Sequence, residues 1–127
     1  DPSHCALIKC DGNYTQNGGT INATHSGVGG KGISVDGIAT FNSGNVTITT
    51  SGSAATYTAS TGTDTYSPIC ISVDGNLYLL GGTFNVKSTG KGGKCIKSDQ
   101  QIVMGTVDGV SPDITTPSVS SGNMTQV

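Results

Sequence analysis

The residues in this chain best suited to chemistry recur at a fixed interval. Asp11, Asp36, Asp74 and Asp99 lie 25, 38 and 25 residues apart, three of them in an Asp-Gly pair and the last in Asp99-Gln100. Stacked on neighbouring strands, these carboxylates would sit about 5 Å apart. They would repel one another unless a hard cation with oxygen ligands, such as calcium, lay between them. The simpler reading is that each Asp caps its own turn by accepting hydrogen bonds from backbone N–H groups. Glycoside hydrolysis needs two carboxylates with separated pKa values, and one column of equivalent aspartates offers no such pair. The sequence therefore points away from an enzyme.

Cys5, Cys10, Cys70 and Cys95 are an even set, with neither the C-x-x-C spacing nor the nearby histidines of a zinc site. Disulfides are the expected use, which places the chain in an oxidising compartment, secreted or at a cell surface. Buried free thiols are the alternative. Cys70 and Cys95 each precede an Asp of the column by four residues, so stacking would bring their Cα atoms to about 4.8 Å, within disulfide range. Cys5 and Cys10 then remain near the start of the chain, where bonds between subunits are a further alternative. Four Asn-x-Thr sequons, at Asn13, Asn22, Asn45 and Asn123, are glycosylation candidates. Carbohydrate platforms use exposed aromatic faces. Of Tyr14, Tyr57, Tyr66 and Tyr78, only Tyr78 takes a strand-surface position, Tyr57 and Tyr66 could equally anchor the insertion against the wall of the fold, and no tryptophan is present. His4 and His25 are isolated and expected to be solvated.

What must position these residues is a repeat. Three residues before each Asp of the column stands an isoleucine: Ile8, Ile33, Ile71 and Ile96. Eight residues after the first three stand Gly19, Gly44 and Gly82, and sixteen after stand Gly27, Gly52 and Gly90. Between them Ile21, Val46 and Phe84, then Ala23, Ile48 and Val86, alternate with polar residues, the pattern of a half-buried strand. Gly29-Gly30-Lys31-Gly32-Ile33 returns as Gly92-Gly93-Lys94-Cys95-Ile96. A unit this short cannot bury its apolar side alone and must stack on copies of itself. The expected fold is all-β: a right-handed parallel β-helix, or β-solenoid, of about four coils with a 25-residue period. In it the isoleucines form an internal ladder, and Lys9, Ser34, Ser72 and Lys97 face water.

Composition agrees. The 127 residues include 20 Gly, 18 Thr and 15 Ser, against an average glycine usage of about 7 %. Helix would be penalised by about 1 kcal/mol per glycine. A β-sandwich, the serious rival, requires antiparallel hairpins rather than a constant frame. A net charge of −2 with no arginine excludes a phosphate-neutralising nucleic-acid surface, and no apolar run approaches the ~18 residues of a membrane span. Residues 1–107 read as the solenoid. An insertion at about 53–65 makes a surface loop or flap, and residues 108–127 form a Pro-, Ser- and Thr-rich tail whose spaced Val107, Val110, Ile114, Val119 and Val127 could add a strand to a neighbour.

The stretch Ile71-Ser-Val-Asp-Gly-Asn-Leu-Tyr-Leu-Leu-Gly-Gly-Thr-Phe-Asn-Val86 resembles coils of the bacterial cell-surface "carbohydrate-binding domain" β-helix family, and the resemblance extends from about Ala6 to Val107. It implies a pectate-lyase-like solenoid and, as in some members, binding of cellulose or pectin-type polysaccharide with calcium. A lyase of that architecture would need an arginine or lysine as base, and Lys31, Lys94 and Lys97 are the ordered candidates here. Four coils make a plug only about 20 Å tall with unpaired strand edges at its ends, which invite another chain. Contact between unlike ends need not close and so generates a filament. The leading expectation is a non-enzymatic extracellular structural subunit that stacks head to tail. A calcium-assisted polysaccharide-binding module is the alternative.

Overall fold

In a computed structural model, residues 5–106 and 109 are described in full, together with the backbone of 113–115 and 124–126. The chain is all-β. Its strands are β1 (Ala6–Cys10), β2 (Tyr14–His25), β3 (Lys31–Val35), β4 (Ala39–Thr50), β5 (Ala55–Ala59), β6 (Gly62–Tyr66), β7 (Ile69–Val73), β8 (Leu77–Leu79), β9 (Thr83–Ser88), β10 (Lys94–Ser98), β11 (Ile102–Met104), β12 (Asp113–Thr115) and β13 (Met124–Gln126). No helix occurs among the described residues. Most of the strands are short and rich in Val, Ile, Thr and Phe, residues that fit a pleated, half-buried surface. Asp-Gly or glycine turns end many of them.

Two parallel sheets carry the molecule. The first runs in the order β1-β3-β7-β10-β13. Its register sets Ile8 beside Ile33, Ile33 beside Ile71, and Ile71 beside Ile96. In the second, the long β4 pairs through its first half with β8 and through its second half with β9, while β2 lies along its other edge. The spacing counted in the sequence is therefore the pairing register of the strands. The pairings between these strands are parallel, which is not the hairpin pattern a β-sandwich requires. Among the described residues the antiparallel pair is β5 with β6, a hairpin formed by the insertion. Strands β12 and β13, from the tail, pair with β9 and β10 of the same chain.

The core lies between the two sheets. Ile33, Val35, Ile71, Val73 and Ile96 from the first meet Phe41, Val46, Ile48, Leu77, Leu79, Phe84 and Val86 from the second. Phe41 bridges two further rings, with centroids 5.6 Å from Tyr14 and 5.3 Å, edge to face, from Phe84. Two expectations need correction in detail. Ser34 and Ser72, expected to face water, are buried, flanked in their row by Lys9 and Lys97. The strict alternation also breaks in this sheet: Cys70 and Ile71 are both fully buried, as are Cys95 and Ile96. The paired register skips residues 32, 70 and 95, and a Cβ on Gly32 would lie 2.6 Å from Ile48 Cγ2. Both side chains of each step can therefore face inward.

Backbones approach most closely at the recurring glycines. A Cβ on Gly75 would fall 2.6 Å from the carbonyl oxygen of Gly37, and one on Gly37 would fall 2.7 Å from that of Gly12. No side chain fits in those gaps. A Cβ on Gly12, by contrast, would meet none of the described residues within 4 Å.

Candidate functional site

The four aspartates share one edge of the first sheet, just past the ends of their strands, and lysines accompany them. Lys9 pairs with Asp36 and lies 3.4 Å from Asp11, while Lys97 pairs with Asp99. The hydrogen bond with Asp36 is the main reason that the Lys9 ammonium is held above its ordinary pKa. Lysine two residues before aspartate places both side chains on one face of a strand. That spacing, Lys9-Cys10-Asp11 and Lys97-Ser98-Asp99, was the available signal that the column carries its own counter-ions. Among the described residues no group of three or more acidic, histidine or cysteine side chains is placed to hold a metal ion. The turn-capping role expected of the aspartates falls in part to other groups: Ser98 Oγ accepts from Gln100 N at 3.1 Å, and Asn13 Oδ1 accepts from Ile38 N at 2.9 Å.

The three lysines singled out as bases come together. Lys31, Lys94 and Lys97 line a cleft of about 380 Å³ with Asp74 and Asp99, and the hairpin residues Asp64 and Tyr66 form its other side. Burial is the first cause that lowers the Lys31 pKa, and Asp74 opposes it. A charged wall of this kind can hold an ionic or strongly hydrogen-bonding ligand. The anchoring role expected of the insertion's tyrosines falls to Tyr66, while the part of Asp64 in the cleft had no signal in the sequence. The hairpin is anchored by Tyr66, whose ring covers Gly29 so closely that a Cβ there would lie 2.7 Å from Cε2, and within the hairpin the Tyr57 ring packs on Tyr66 with centroids 5.5 Å apart. The absence of a side chain at Gly29 leaves room for that ring.

The remaining candidates are scattered. Tyr78 is half-buried on β8 and accepts a hydrogen bond from Asn76 Nδ2 at 3.2 Å, away from the cleft lining. Asn13, Asn22 and Asn45 are exposed, with Asn13 engaged in its turn, and Asn123 lies outside the described residues, as does His4. His25 is half-buried rather than solvated, its Nδ1 accepting from Gly27 N at 3.0 Å.

Of the four cysteines, Cys5 is exposed, Cys10 partly covered, and Cys70 and Cys95 are buried. The neighbouring Cys95 thiol and burial push the Cys70 thiol well above its usual range. No family model, curated protein or solved structure matches the chain.

Proposed function

We propose that the chain is a non-enzymatic extracellular structural protein, a right-handed β-solenoid of about four 25-residue coils that stacks head to tail on further copies of itself. One observation carries this reading. At the β1–β2 end, the residues that continue the core rows are only half-buried: Ile8, Cys10, Tyr14, Ile21 and Ala23. Their partners one row further in, Ile33, Val35, Ala39, Val46 and Ile48, are at most 1 % exposed. The end resembles a core cut open, with the outer backbone edges of β1 and β2 unpaired among the described residues. Such edges template the addition of another strand. At the opposite end β11 and the tail strands β12 and β13 extend the same parallel sheets, so a second copy can continue both sheets in the same sense. A heterologous contact of this kind propagates.

The test is sedimentation velocity over a wide concentration range with negative-stain microscopy of the same samples. Rod-like particles that lengthen with concentration are expected. A compact monomer at the highest concentration overturns the reading.

The lysine- and aspartate-lined cleft under the β5–β6 hairpin favours a second reading, a polysaccharide-binding module assisted by calcium. Retention on insoluble glycans that is lost in Lys31→Ala and Lys94→Ala, and that depends on added calcium, would support it. Equal retention of those variants would exclude the cleft.

A further inference from the structure

Cys70 and Cys95 are brought together by a register that neither residue sets. On β7 and β10, Ile69 pairs with Lys94 and Ile71 with Ile96, so the two cysteines between them stand opposite each other. Both are fully buried and face the second sheet: the Cys70 sulfur lies 3.2 Å from the Lys87 carbonyl oxygen and the Cys95 sulfur 3.5 Å from that of Val86. Adjacent strands hold such Cα atoms about 4.8 Å apart, inside the 4.4–6.8 Å range of disulfides.

Cys10 is out of reach of both Cys5 and Cys70. Cys5 and Cys10 are separated by five extended residues, about 16 Å, more than twice what a disulfide spans. Cys10 stands in the row of Val35 and Val73, two strands away from Cys70 and three residues further along.

We infer that Cys70 and Cys95 form a disulfide within the chain, joining β7 to β10, while Cys5 and Cys10 stay out of it. The oxidant is a disulfide of low molecular mass or a dithiol oxidase. One cysteine thiolate attacks a sulfur of that disulfide, forming a mixed disulfide and expelling one thiol. The second cysteine then attacks the mixed disulfide, the Cys70–Cys95 bond forms, and a second thiol leaves. The two cysteine protons end on the two released thiols, and two electrons pass to the oxidant. Because neither sulfur is accessible once the sheets have closed, the exchange takes place before β10 docks on β7. The bond then resists reduction in the folded state.

The reduced, denatured chain is refolded with glutathione disulfide and glutathione, its recovery followed by β-sheet circular dichroism. It is then alkylated in denaturant and mapped by mass spectrometry. The expected product is lighter than the fully reduced chain by two hydrogen atoms before alkylation. It yields a linked Cys70–Cys95 peptide and carries label on Cys5 and Cys10. The same crosslink is expected in the Cys5→Ser/Cys10→Ser variant. Refolded protein that carries label on Cys70 and Cys95, or links either to Cys5 or Cys10, overturns the inference. So does rapid loss of the bond when the folded protein meets dithiothreitol without denaturant. The result is independent of whether copies stack.

Discussion

The β1–β2 end and the row beside it are paired in one register and have different environments. Ile8 and Ile33 occupy equivalent positions in neighbouring strands of one sheet. Ile33 is sealed and Ile8 is half-open, because Ile33 has β7 on its far side and Ile8 has nothing described there. Burial in a parallel sheet is supplied by the strands on either side rather than by the strand itself. Repeat position therefore defines which way a side chain points, and only the place in the sheet defines how much water it loses.

The widest separation between the two regions is expected from a buried charge. Ile33→Asp or Ile71→Asp puts an unpaired carboxylate where exposure is zero and should abolish folding, read as loss of β-sheet circular dichroism and of a cooperative melt. Ile8→Asp should leave a folded protein that no longer associates, since water reaches that position. Equal damage at Ile8 and Ile33 would break the comparison.

Truncating aromatic residues gives a smaller version. Phe41 is fully buried between Tyr14 and Phe84, and Phe41→Ala should cost about 3–5 kcal/mol in urea unfolding. Tyr14→Ala, at the open end, should cost less. Tyr14 also donates to Gln16 Oε1 at 2.9 Å, so Tyr14→Phe separates the ring's share from that of the hydroxyl.

Much of this was legible from Ile8, Ile33, Ile71 and Ile96 and from the glycines that follow them, because a stacking register must appear as a constant count between equivalent residues. The cleft was not. Lys31 and Lys94 could be equated through Gly-Gly-Lys, but the position of Asp64 and Tyr66 depends on where an insertion folds back, and no periodicity encodes that. The break in alternation at Cys70-Ile71 and Cys95-Ile96 was hidden for a related reason. It arises where the strand turns inward between paired residues, and the smallness of Gly32 in the third strand of that row is its only trace.

The glycines extend the contrast to the backbone. Gly75→Ala would drive a methyl group against the Gly37 carbonyl, and overpacking of this kind should cost about 1–3 kcal/mol. The added methyl of Gly12→Ala meets none of the described residues within 4 Å and should change stability by no more than about 0.5 kcal/mol. If a second copy covers this end as the chain covers Gly37, that silent substitution should still weaken association. Normal melting with shortened rods is the expected pair of results. Rods of unchanged length would move the contact elsewhere.

The smallest effects are electrostatic and have opposite signs. Lys9, at the open end, has its pKa raised chiefly by the hydrogen bond with Asp36. Its contribution is present below the unfolded value near 10.5 and fades as pH rises through the higher folded value. Lys31, under the hairpin, has its pKa lowered by burial. Between the folded and unfolded values the unfolded chain holds the proton more firmly, so this residue makes stability rise with pH in the window below 10.5. Lys9→Met should therefore lose a little stability at pH 7, within the roughly 0–1 kcal/mol of an exposed pair, and show a smaller decline at high pH. Lys31→Met should gain stability at pH 7 and flatten the rise. Urea melts of the two variants between neutral pH and the lysine range read both slopes. A loss on replacing Lys31 would show that its ammonium is paired in the cleft rather than merely confined there.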